Sequence, residues 1–156
     1  MVVLRVIIST RVSKGYRTRS QQPKVLRQDH NRSAIAAITV AILGGDPVVG
    51  RTLELMLKSD GYNARFLNGS FIDKPAELPE EVRLVILAPG LHHKGRERFL
   101  NRMEDAPAAK KVPILELVRA SERERAEQLG YVLWPCPANE LKQCIEAVLR
   151  AASHVG

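Results

Sequence analysis

The residues of this chain that could take part in chemistry meet where an apolar run stops. Ile38–Leu43 is continuous, apolar and rich in β-branched residues, and it leads into Gly44, Gly45, Asp46 and Pro47. A strand that runs into a tight turn and a Pro-started helix builds a crevice at its carboxyl end. Glycine at that turn offers backbone and space, but no carboxylate, nucleophile or metal ligand. Asp46 is the one acid there, and its place before Pro47 suits a helix N-cap. The spacing Gly44-Gly45-x-x-x-x-Gly50 does not make a dinucleotide loop, because Asp46 stands where the second glycine of Gly-x-Gly-x-x-Gly belongs. It also lacks the Gly-Lys-Ser/Thr ending of a phosphate loop.

The other reactive residue types are thinly spread. His92 and His93 follow the third apolar run, but adjacent side chains diverge and no third ligand accompanies them, so a solvated loop is expected. Cys136 lies beside the crevice, where the start of the last helix could lower its pKa slightly. A small, partly buried residue is the simpler expectation. Cys144 falls on the apolar face of that helix. Glu116 is a carboxylate inside an apolar strand, and it must reach solvent or a partner such as an arginine.

Composition bounds the function further. The chain has 156 residues, 45% of them hydrophobic and 26% charged, as in ordinary globular proteins. No apolar run approaches the about 18 residues of a membrane span. The start, Met1 to Ile8, is broken by Arg5 and makes a poor secretory signal. With only two cysteines, a reducing, cytoplasmic setting without disulfides is expected. The net charge of +7 sits in the first 38 residues. These hold eight basic residues (Arg5, Arg11, Lys14, Arg17, Arg19, Lys24, Arg27, Arg32) against one acid, Asp29. The rest is balanced, with sixteen of each sign. Residues 1–37 therefore read as a basic, disordered extension, and 38–152 as the folded domain.

Five apolar runs alternate with helical patterns in that domain. The strands are expected at Ile38–Leu43, Ala64–Leu67, Leu84–Ala88, Pro113–Val118 and Tyr131–Trp134. Helices are expected from Pro47 to about Ser59, from about Gly95 to Asp105, from Glu122 to Leu129 behind Ser121, and from Pro137 to Ala152. Residues 68–82, with Pro75 and Pro79, read as loop with at most a short helix. Gly61 suits a helix stop. Strict alternation predicts a doubly wound α/β fold with a five-stranded parallel sheet. Its ligand crevice lies at the carboxyl ends of the strands.

Over residues 38–151 the chain resembles the receiver domain of bacterial two-component response regulators. The resemblance rests on Val40–Tyr62, Leu84–Leu91, Val112–Val118 and Gly130–Leu141. It implies a flavodoxin-like strand order of 2-1-3-4-5 and a phosphorylation site at the strand ends. A working site needs paired acids that hold Mg²⁺, an aspartate nucleophile, a hydroxyl and a lysine followed by proline. Those positions fall on Gly44 and Gly45, on Ala88, on Val118, and on Trp134 with Pro135. Every chemical position is empty, and Asp46 alone cannot hold the metal. The resemblance thus implies a pseudo-receiver without catalytic residues, metal or cofactor. Trp134 is expected to fill the vacated crevice over Gly44, Gly45 and Ala88, and Trp134–Pro135 is a candidate for a cis bond.

A signalling module in a phosphorelay context, acting by protein contact without phosphorylation, is therefore expected. No output domain is recognisable, so a separate protein or a second copy would be its partner. In receivers the fourth helix, fifth strand and last helix form the usual partner face, which singles out Glu122, Arg123, Arg125, Glu140 and Lys142. Two other readings stay open. One is a nucleic-acid-associated transcriptional regulator that grips phosphates through Arg11, Lys14, Arg17, Arg19, Lys24 and Arg27. The other is a small α/β nucleotide-binding protein.

Overall fold

A computed structural model describes residues 37–107, 111–119, 121 and 132–153. The elements follow in the order β1 (Thr39–Leu43), α1 (Pro47–Ser59), β2 (Asn63–Leu67), α2 (Ser70–Asp73), a 3₁₀ turn (Pro75–Glu77), β3 (Val82–Leu87), α3 (His93–Glu104), β4 (Ile114–Arg119), β5 (Val132–Trp134) and α4 (Ala138–Ser153). The five strands form one sheet of order β2-β1-β3-β4-β5, and every neighbouring pair is parallel. This is the expected doubly wound fold. Each of its five strands lies within two residues of its expected limits. The helix expected at 122–129 lies outside the described residues.

Alternation along the strands builds two cores. Val40 and Ile42 of β1, Leu84 and Ile86 of β3, and Leu115 and Leu117 of β4 face Leu53 and Leu57 of α1 and Leu141, Ile145 and Val148 of α4. Ala41, Leu43, Val85 and Leu87 point the other way, onto Ile72 of α2 and Phe99 and Met103 of α3. Both faces of the central strands are covered, which is why they read as unbroken apolar runs. Full burial of a side chain such as Phe99 stabilises by about 1.5–3 kcal/mol.

Local chemistry sets the helix ends. The Oδ1 atom of Asp46 accepts from Val48 N at 2.9 Å and Val49 N at 3.3 Å, so Asp46 caps α1 as its sequence predicts. At the other end Gly61 takes φ +91°. Tyr62 N donates to Leu57 O at 3.0 Å and Gly61 N to Lys58 O at 3.1 Å, a Schellman stop.

The third helix differs from expectation. It starts at His93 instead of about Gly95, because Nδ1 of His92 accepts from Lys94 N at 3.3 Å and caps it. His93 is already helical and pairs with Glu97 one turn on. Both histidines are exposed as expected, but His93 is already in the helix and His92 caps it.

Glu116 has the arginine that its position demands. Arg96 of α3 lies 3.0 Å from its carboxylate, with the two side chains only 14% and 15% exposed. Arg98 and Arg102 of α3 reach Asp73, one through its side chain and the other through its backbone carbonyl, and so tie α2 to α3.

Candidate functional site

Parallel register brings the crevice residues together. Leu43 of β1 is level with Leu87 of β3, and Ala88 N donates to Leu43 O at 2.7 Å. Gly44 and Ala88 are therefore neighbours across the strand ends. Both are buried. Leu87 is in turn level with Glu116 of β4, so Val118 and Arg119 stand further out along the same edge. Val118 is buried, Arg119 is half-exposed, and Trp134 of β5 is level with Arg119.

The turns that line the crevice approach one another closely. A Cβ atom at Gly44 would lie 3.0 Å from the Ala88 methyl and 3.8 Å from the Phe66 ring. A Cβ at Gly45 would lie 2.7 Å from the carbonyl oxygen of Gly90. Gly90 itself has φ +87°, a conformation open to glycine at little cost. The turns after β1 and β3 thus press backbone on backbone.

Phe66, at the end of β2, is the residue the sequence did not single out. Its ring lies against α1 so closely that a Cβ at Gly50 would be 2.3 Å from two ring carbons. Arg51 lies over the same ring, 5.9 Å from its centroid. Trp134 is half-buried against the core cluster that contains Ala88, and the Trp134–Pro135 bond is cis as anticipated. The aromatic ring nearest the Cβ positions of Gly44 and Gly50, however, is Phe66 and not Trp134. The signal was an aromatic at a strand end facing a glycine inside a helix, a pairing visible only once β2 lies beside β1.

The electrostatics of the crevice rest on Asp46 and Arg119. The Nη2 atom of Arg119 stands 3.5 Å from Asp46 Oδ2, so one carboxylate serves the helix cap through one oxygen and the guanidinium through the other. The Mg²⁺ that the resemblance implies does not fit this donor set. Gly44, Gly45 and Ala88 carry no side-chain oxygen, and the Asp46 carboxylate already faces a cation. Among the described residues no group of three or more His, Cys, Asp or Glu side chains could hold a metal ion.

The thiols are shielded. Burial, with smaller contributions from Glu140 and Cys144, pushes the Cys136 thiol up to about 11, opposite to the slight lowering that the nearby helix start suggested. Burial and Glu140 also raise Cys144. On the outer face of the core, Glu54 lies between Arg51 and Lys58, 2.7 Å from each. Burial alone would raise its carboxyl, but hydrogen bonds and charge from Lys58 and Arg51 outweigh this and hold it below the ordinary value.

Of the expected partner-face residues, Glu140 is half-buried and Lys142 exposed on α4, while Pro135 is exposed before it. Glu122, Arg123 and Arg125 lie outside the described residues. So do the tail residues Arg11, Lys14, Arg17, Arg19, Lys24 and Arg27. Among the described residues no helix is long and apolar enough to cross a membrane.

No protein-family model and no curated protein matches the chain. Solved structures do. The chain is similar to the receiver domain of a sensor histidine kinase from Pseudomonas aeruginosa PAO1, solved with magnesium in its active-site cleft. The TM-score is 0.60 at 21% identity, over 73% of this chain and 98% of that one. It is similar to a CheY-like receiver domain from Methylobacillus flagellatus, with TM-score 0.58 and 13% identity over 72% and 99% of the two chains. It is also similar to full-length FixJ from B. japonicum, with TM-score 0.61 and 18% identity over 73% of this chain and 58% of that one. The fold is thus the flavodoxin-like, doubly wound parallel α/β class. Within that class, its structural neighbours are response-regulator receiver domains, and it shares their fold.

Proposed function

We propose that the chain is a receiver-like signalling module that works by protein–protein contact, without aspartyl phosphorylation and without enzymatic activity of its own. The observation that carries this reading is the state of the strand ends. Gly44, Gly45, Ala88 and Val118 provide neither metal ligands, nor a nucleophile, nor a hydroxyl to steady a phosphoryl group. The scaffold is kept, and an intact scaffold without site chemistry leaves its surface as the working part.

A second observation bears on which surface. Among the described residues the exposed large apolar side chains are Val48 and Leu55, 73% and 69% exposed. They are seven apart on α1, so they share one face opposite Leu53 and Leu57. This pair is the contact face that the reading singles out for test. The test uses the full chain to capture partners, with and without acetyl phosphate and Mg²⁺. The expected result is the same bound proteins in both conditions and their loss in V48E/L55E. Partners that bind only after acetyl phosphate treatment would contradict the proposal.

A further inference from the structure

Three strand ends converge at one point above the crevice. Asp46 follows β1, Gly90 follows β3, and Arg119 ends β4. A Cβ built at Gly90 would meet Asp46 Cβ at 3.4 Å and Arg119 Nη2 at 3.8 Å. The ion pair therefore lies beside the turn after β3, within ordinary van der Waals reach of Gly90. Asp46 is committed at both oxygens: Oδ1 to the first amides of α1, Oδ2 to the guanidinium.

We infer that Arg119 is the resident cation of this crevice and that Asp46–Arg119 is a latch holding the β1–α1 turn to the end of β4 across Gly90. The chain itself supplies a positive charge beside Asp46, from the end of β4. The pair is partly exposed, with side chains 51% and 36% accessible, so it is screened by salt and can open without unfolding the sheet. The latch gives the turn two arrangements, closed with the pair made and open with it broken. This inference rests on the reading that the crevice takes no magnesium.

Asparagine and aspartate cap helices equally well, so Asp46→Asn separates the latch from the cap. The readout is amide hydrogen exchange at Gly50, whose N–H donates to Asp46 O at 3.0 Å and so reports opening of the turn. The amide of Ile86, in the central strand, serves as the control for global unfolding. D46N and R119M should each speed exchange at Gly50 by about threefold at low salt. The double variant should exchange no faster than the faster single one, and 1 M NaCl should bring the wild type close to the variants. Exchange at Ile86 should change less than at Gly50. Unchanged exchange in either single variant, additive effects in the double one, or equal acceleration at both amides would overturn the latch. A phosphoryl adduct on the protein would defeat the metal-free reading instead, whatever the exchange data showed, so the two failures are distinguishable.

Discussion

Gly44 and Ala88 abut across the ends of β1 and β3, so that a side chain at position 44 would begin 3.0 Å from the Ala88 methyl. The two positions that would carry a metal ligand and a nucleophile in a live receiver are thus filled by each other's proximity. Returning the acids should not return a site. Gly44→Asp sets a Cβ 3.0 Å from the Ala88 methyl, which must give way, and should destabilise by about 1–3 kcal/mol. Ala88→Asp buries a carboxyl at a position with no accessible surface and should cost on the order of 3 kcal/mol. Urea unfolding of each variant measures this. A fully stable A88D would show that the crevice is roomier than this contact implies.

Gly50 and Phe66 make a second prediction, with a change of sign. Alanine in a helix interior ordinarily improves on glycine by about 0.5–1 kcal/mol. Here the new methyl would lie 2.3 Å from the Phe66 ring, so Gly50→Ala should destabilise by roughly 1–2 kcal/mol. In a Phe66→Ala background the obstacle is gone, and the same substitution should become neutral or stabilising. Four urea midpoints decide it.

The fold was legible because its central strands are buried on both faces. Ile38–Leu43 and Leu84–Ala88 could only be read as interior strands, and Asp46-Pro47 fixed where α1 begins. Gly44 and Ala88 were legible as strand-end residues without ligand atoms, and the structure sets them side by side. Phe66 and Arg119 were not legible as crevice residues. Each acts through a residue distant in sequence, Gly50 across β2–α1 packing and Asp46 across three strand ends. His92 is exposed ahead of α3 as expected, but its capping role was not legible, because an imidazole seldom stands out as a helix cap.

Glu54 makes stability depend on acid. Its folded carboxyl is held below the ordinary 4.5 by Lys58 and Arg51 despite its burial. The unfolded state therefore binds the proton more readily. The contribution is fully present above 4.5 and is lost as pH falls through the lower, folded value. Thermal melts between about pH 6 and about pH 3 should show a smaller acid loss in Glu54→Gln than in the wild type. Parallel curves would remove Glu54 from the account.

Cys136 should be a slow thiol. Its value of about 11, against an ordinary 9.0, leaves roughly a hundredfold less thiolate near neutral pH. Iodoacetamide should label it correspondingly more slowly than free cysteine, with a rate that climbs as pH approaches that value. Rapid labelling at neutral pH in the native protein would contradict this.

The central claim is that the receiver scaffold persists here without its phosphoryl chemistry, and intact mass is its most direct test. The full chain is incubated with acetyl phosphate and Mg²⁺ beside a phosphorylatable receiver domain as control. The account predicts that the control gains a phosphoryl group while this chain keeps its unmodified mass. A phosphoryl adduct on this chain that hydroxylamine removes, the behaviour of an acyl phosphate, would contradict it.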